Sequence, residues 1–291
     1  MATDKPKNAP KNVRIFDGPT RVRYQDATRF LWGDDQSKMV ADVIYGRNNT
    51  IASMVYKLRP GACFKASDTW KTLFAQHRFY YVLRGELAVH DPETGDFAVA
   101  RTGEAVSWHG EKWHFAYNMS SEDCCVLDWY APMERPPHVT EVEFGATKPS
   151  LGEQKPGRLD LLGNWPDGAP EARMKVLREG GMSTVSKRNA LHFVHGDENP
   201  VIESIFASSE HLTAGSVDLI AGARSDDRSH PSDKIIFTTK GKLHVYLPET
   251  FDWFELDEWD VLYLPKNTPH QYWNYTGSPI SFVFLVVPRY A

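Results

Sequence analysis

Two stretches of the chain repeat one another. HRFYYVLRGELAVHDPETGDF (His77–Phe97) and DKIIFTTKGKLHVYLPETFDW (Asp233–Trp253) align without a gap. At a shift of 156 residues the match runs from Arg78–Pro132 onto Lys234–Pro288. It includes the identical pairs Gly85/Gly241, Leu87/Leu243, Val89/Val245, Asp96/Asp252, His114/His270, Asn118/Asn274 and Pro132/Pro288. Upstream the shift becomes 161, pairing Leu58 with Leu219 and Gly61 with Gly222, so the first copy holds five extra residues between Gly61 and Arg78. Earlier still, RFLWGDD (Arg29–Asp35) echoes HFVHGDE (His192–Glu198). So long a period marks a duplicated domain rather than a solenoid. Whatever architecture one half adopts, the other must adopt too.

The 291 residues leave room for two ordinary cores. An apolar share of 41% with 24% charged residues is that of a globular chain, not a disordered one. The net charge of −5 and the absence of a basic stripe argue against nucleic acid or an anionic membrane as partner. No apolar run is long enough to span a bilayer. The opening MATDKPKNAPKN is polar and unlike a secretory signal, so residues 1–12 are expected to be a frayed tail and the protein cytoplasmic. Three cysteines, Cys63, Cys124 and Cys125, form no disulfide framework.

Within each copy the pattern is all-β. RFYYVLR, FAVAR, AVSWH and CCVLDWY, then DKIIFTT, KLHVYL, DVLYLP and ISFVFLVV, are short β-branched and aromatic runs punctuated by Gly, Pro, Asp and Asn. DPETGDF and LPETFDW sit between such runs, as hairpin loops do. Two small antiparallel barrels are expected, over residues 13–135 and 181–291. Residues 136–180, rich in Pro, Gly and charge, read as a linker with short ordered pieces.

These residues resemble the cupin superfamily of double-sheet jelly rolls, many of them with two barrels. GEAVSWHGEKWHFAYN fits the second half of the cupin pattern from Gly103 through His114 to Asn118, and DVLYLPKNTPHQYWN supplies Pro265, His270 and Asn274. The turn Pro and Gly are replaced by His109 and Glu111 in the first copy, and the turn Gly by Asn267 in the second. The resemblance implies two tandem cupin-type jelly-roll barrels. Its metal site would use two His, a Glu and a later His. Carried over, those places hold Thr72, Phe74, Arg78 and His114 in the first copy, and Arg228, His230, Lys234 and His270 in the second. Both copies thus put a cation where the resemblance implies a carboxylate.

Strand alternation leaves two registers open, since a slip of one residue turns every side chain to the opposite face. In one, Arg78 and Lys234 point inward and meet a protein or ligand carboxylate, which the planar fork of Arg suits. In the other, His77 and Asp233 point inward, and His230, Asp233 and His270 form a two-His, one-carboxylate set for Fe, Mn, Ni or Zn. A set of aromatic and polar residues near the motif strands, Trp70, Tyr80 and Trp108 with Arg228, is expected to contact a small molecule. No Walker loop, dinucleotide turn, GxSxG or CxxC occurs, so no nucleotide or flavin cofactor is expected.

Three functions remain open on these residues. The first is a metal-dependent oxygenase, decarboxylase, isomerase or lyase with its ion in the second barrel. In that first function Arg78 or Lys234 anchors a substrate carboxylate; the second is a metal-independent enzyme of the first barrel using His77 or His114 as base with Arg78 steadying a developing oxyanion. The third is a non-catalytic binding or storage protein. All three take a small oxygenated, carboxylate-bearing molecule; a homodimer is left open.

Overall fold

The computed structural model describes residues 10, 12–67, 70–74, 76–110, 112–132, 155, 157–162 and 169–290. Among these the chain is all-β, built on two seven-stranded antiparallel sheets. The first runs, edge to edge, Ser183–Ser186, Glu104–Trp108, His77–Arg84, Cys124–Ala131, Ala52–Leu58, Val40–Arg47 and Thr28–Trp32. The second runs Thr20–Val22, Val261–Leu264, Asp233–Lys240, Ile280–Val287, Thr213–Leu219, Val201–Ser208 and Leu191–His195. Position by position the two orders correspond, as a duplication demands. A smaller sheet closes each barrel: Cys63–Phe64, Phe115–Tyr117, Glu86–His90 and Phe97–Arg101 in the first half, Asp252–Leu256, Leu243–Leu247 and Gln271–Trp273 in the second.

Each half also lends its leading strand to the other. Thr20–Val22 pairs with Val261–Tyr263, and Ser183–Ser186 pairs with Glu104–Ser107. Sheet membership therefore crosses the expected division of the chain twice.

Both large sheets are covered on both faces. Tyr80, Val82, Val106 and Val126 pack inside the first barrel, and Ile236, Leu262, Phe282 and Phe284 inside the second. The intervening residues Phe79, Tyr81, Leu127, Trp129, Ile235, Phe237, Val283 and Leu285 form one shared core between the barrels. Double coverage is why these strands read as unbroken apolar runs instead of alternating ones.

The motif asparagines are loop anchors. Asn118 Nδ2 donates to the carbonyls of Leu58 and Glu122, and Asn274 Nδ2 to those of Leu219, Ile220 and Ser278. Gly85 and Gly241 turn the same hairpin at φ +80° and +77°, where a Cβ would come within 2.7 Å of the Asp123 carbonyl oxygen or 2.8 Å of Ile280 Cγ2.

In the expected linker, Ala169–Arg178 is a helix with Glu171 in its first turn and Lys175 and Arg178 in its last, as the helix dipole favours. Lys175 and Arg158 share Asp160, and Arg158 reaches Asp96 of the first barrel. Residues 136–154, 156 and 163–168 of that segment, Glu111 and nearly all of the tail lie outside the described residues. No helix among the described residues is long and apolar enough to cross a membrane.

Candidate functional site

The structure takes the register in which the cations face inward. Arg78 shares a face with Tyr80 and Val82, and Lys234 with Ile236, in each case toward the barrel interior. His77 and Asp233, one residue earlier, lie on the opposite face.

In the first barrel Arg78 is a fixed cation. Its Nη1 donates to Asp128 Oδ2 at 2.8 Å and Oδ1 at 3.1 Å, and its guanidinium lies over the rings of Phe74 and Tyr130 at 4.0 and 4.2 Å. Nε is buried without a hydrogen-bond partner among the described residues. Beside it, His114 Nε2 is 3.1 Å from the Tyr80 hydroxyl, with Trp108 packed against both rings. Burial, reinforced by the charge of Arg78, holds His114 well below the ordinary imidazole range, so the ring is neutral. Burial lifts the Tyr80 phenol well above its ordinary value, so it keeps its proton. Asp42 is a second buried acid here: burial, then the charge of Asp128, push it far above the carboxylate range against the pull of Arg78.

The second barrel carries the opposite imbalance. Arg228 Nη1 pairs with Glu203 Oε1, and Arg228 Nη2 donates to the Tyr290 hydroxyl at 2.8 Å. That hydroxyl in turn bonds Glu203 Oε2. Burial pushes the Glu203 carboxyl up, but Arg228 and these hydrogen bonds outweigh it and leave it below its ordinary range. Lys234, 1% exposed, sets its Nζ 3.0 Å from His230 Nε2. His230 Nδ1 lies 2.8 Å from the Tyr290 carbonyl oxygen and His270 Nδ1 2.9 Å from that of Thr268. Carbonyls only accept, so both rings carry their proton on Nδ1 and turn an Nε2 lone pair inward. His230 receives the lysine, and His270 the Tyr272 hydroxyl at 3.3 Å. Burial brings His230 down to about 3 and holds His270 far below its usual value.

The first barrel thus has one buried guanidinium facing two carboxyls, and the second has two buried cations facing one. The odd group is neutral in each case. Asp42 keeps a proton; Lys234 loses one, because burial and then Arg228 drive its pKa far below the ordinary ammonium range, with Glu203 opposing.

These donors do not fit the metal that the fold implies. Asp233, expected beside His230 and His270, accepts from Asn48 Nδ2 at 3.0 Å, Thr50 Oγ1 at 2.5 Å and the Lys266 backbone at 3.1 Å, at the seam between the barrels. Lys234 takes the place between the two histidines instead, and Glu203 is held by Arg228 and Tyr290. With the Lys234 side chain filling that place and Glu203 committed elsewhere, the two histidines have no carboxylate beside them to complete a ligand set among the described residues. No group of three or more His, Cys, Asp or Glu among the described residues is arranged to hold one.

His77 likewise points away from its barrel. It makes edge contacts with the rings of His109 and His211, both at 4.5 Å, and burial followed by these neighbours brings it down to about 4. Trp70 packs on Trp32 and Phe30 at one edge of the first large sheet. Tyr80 and Trp108 are brought to His114, whereas Arg228 is committed to Glu203 and Tyr290.

The sequence reading missed Asp42, Asp128, Glu203 and Tyr290. Three carried a signal: an acid amid an apolar strand, in VADVIY, CCVLDWY and VIESIF. Extending the shift of 161 would have paired Asp42 with Glu203. Tyr290 follows the last strand and carried none.

Among solved structures the chain is similar to AerE from Microcystis aeruginosa, with 12% identity and a TM-score of 0.57 over 94% of this chain and 98% of that one. It is also similar to a formate complex of oxalate decarboxylase from Lactobacillus farciminis, with 15% identity and a TM-score of 0.62 over 97% and 90%. A mutant of the Bacillus subtilis oxalate decarboxylase matches with 15% identity and a TM-score of 0.62 over 97% and 81%. No family model and no curated protein matches the sequence. At these identities the likeness is one of fold: an all-β pair of cupin-type barrels.

Proposed function

We propose that the protein is an enzyme that moves protons on a small carbonyl- or carboxylate-bearing molecule with its own side chains, in the N-terminal barrel. The observation that carries this reading is the Tyr80–His114 contact of 3.1 Å beside the inward Arg78, where the fold's metal would sit. A substrate oxygen set against the Tyr80 phenol takes its hydrogen bond and frees His114 Nε2 to accept a proton from the adjacent carbon. The unpaired Nε edge of Arg78, clamped between Phe74 and Tyr130, faces the negative charge that develops. Isomerisation and lyase reactions share this proton abstraction, and decarboxylation uses its reverse, in which the enolate left by loss of CO2 takes a proton from His114.

The test is deuterium wash-in by NMR, with EDTA-dialysed protein and a panel of 2-oxo acids and 1,3-diketones. Exchange at the carbon next to the carbonyl is expected to survive EDTA and to fall about 100-fold in His114→Gln, the scale of general acid–base catalysis. Exchange that needs an added divalent ion, or that ignores His114→Gln, overturns the reading. The engagement of Arg78 by Asp128 favours a second reading, a non-catalytic binding protein. Saturable binding of the same molecules with no exchange selects it.

A further inference from the structure

The second barrel holds a primary amine in unusual surroundings. Lys234 is buried, its Nζ donates to His230 Nε2 at 3.0 Å, and Glu203, the carboxylate near it among the described residues, is already matched by Arg228 and Tyr290. Nζ also lies over the rings of Tyr272 and Phe284 at 5.2 and 4.9 Å, a contact that opposes loss of the proton. An ammonium buried here would have no carboxylate of its own and would lie beside the Arg228–Glu203 pair, which favours the neutral amine. A neutral amine has a free lone pair, and His230 is oriented by the Tyr290 carbonyl to relay its protons.

We propose that Lys234 captures a small aldehyde or ketone acid as an imine inside the C-terminal barrel. The Nζ lone pair attacks the carbonyl carbon, a C–N bond forms, and the carbonyl π pair moves onto oxygen. His230 Nε2 takes a proton from the nitrogen and passes it to that oxygen, giving a carbinolamine. The hydroxyl then leaves as water with a second proton from the nitrogen by the same relay, and the C=N bond closes. One water is released, and no oxidant or reductant is consumed.

This inference stands apart from the N-terminal barrel, since it uses neither Tyr80 nor His114. It is tested on the wild-type protein at pH 7 with glyoxylate and sodium cyanoborohydride, which reduces the imine to a stable carboxymethyl-lysine. Peptide mass spectrometry then reads the site. Lys234 is expected to be labelled at least ~10-fold faster than the surface lysines Lys240 and Lys242, the advantage that each unit of pKa depression gives in free amine. In Lys234→Arg the fast label is lost while the slow surface labels remain. Labelling of Lys234 at or below the surface rate overturns the proposal, as does a fast label that persists in Lys234→Arg.

Discussion

Acid should destabilise this protein well before its carboxylates titrate. His114, His230 and His270 are all buried and neutral, with pKa values held far below the ordinary range, that of His230 at about 3. In the unfolded chain each returns to about 6.5. Between those limits the unfolded state binds more protons, so stability is full above pH 6.5 and is lost as pH falls toward the folded values. Each histidine loses about 2 kcal/mol between pH 7 and pH 5, about 6 kcal/mol for the three. Lys234 acts in the same direction and Asp42 in the opposite one, because the native state keeps its proton on Asp42; one slope cancels the other while both stay shifted. His77, at about 4, adds a smaller share because it is only half-buried. For 291 residues the unfolding entropy is about 0.6 kcal/mol per kelvin, so Tm should fall by about 10 °C from pH 7 to pH 5. Differential scanning calorimetry across that range reads the slope directly, and His270→Gln should remove about a third of it. A Tm at pH 5 within about 2 °C of that at pH 7, or a fall confined to pH below about 4.5, refutes the assignment of neutral buried histidines.

Two substitutions address the buried charges. Lys234→Glu replaces the amine beside His230 and His270 with a carboxylate and should create binding of Mn²⁺ or Co²⁺ near one ion per chain, seen by calorimetry and elemental analysis, where the wild type shows none at that site. Asp128→Asn should destabilise the protein by about 3–5 kcal/mol by leaving Arg78 buried and unpaired, whereas the double variant Arg78→Met/Asp128→Leu should recover most of that loss in urea melts.

The architecture was legible in the sequence because duplication, turn residues and Asn anchors are local signals. The long shift set the strand order of one half from the other. Parity was not legible, and the reason is physical. His77–Arg84 and Asp233–Lys240 are covered on both faces, so the alternation that normally marks the inward side is erased. Asp233 could therefore be read as a ligand although it faces the seam. The partners that decide each barrel's chemistry, Asp42 and Asp128 for Arg78, Glu203 and Tyr290 for Arg228, come from distant strands that meet only in the fold. The two lent strands were invisible for another reason. Thr20–Val22 and Ser183–Ser186 are short and, apart from Val22, only partly buried, too little pattern to announce a partner.

That mutual loan of strands bears on ancestry. A one-barrel forebear with the same habit could not complete its own sheet, and its first strand would have to lie along a sibling molecule whose first strand lay along it in return. Such an arrangement closes on itself as a two-fold pair. Joining the two genes end to end alters none of those pairings; it only turns an encounter between molecules into one within a single chain, freeing the pair from dilution. Once tied, the halves no longer had to stay identical, and one cavity could keep an extra acid while its twin kept an extra base.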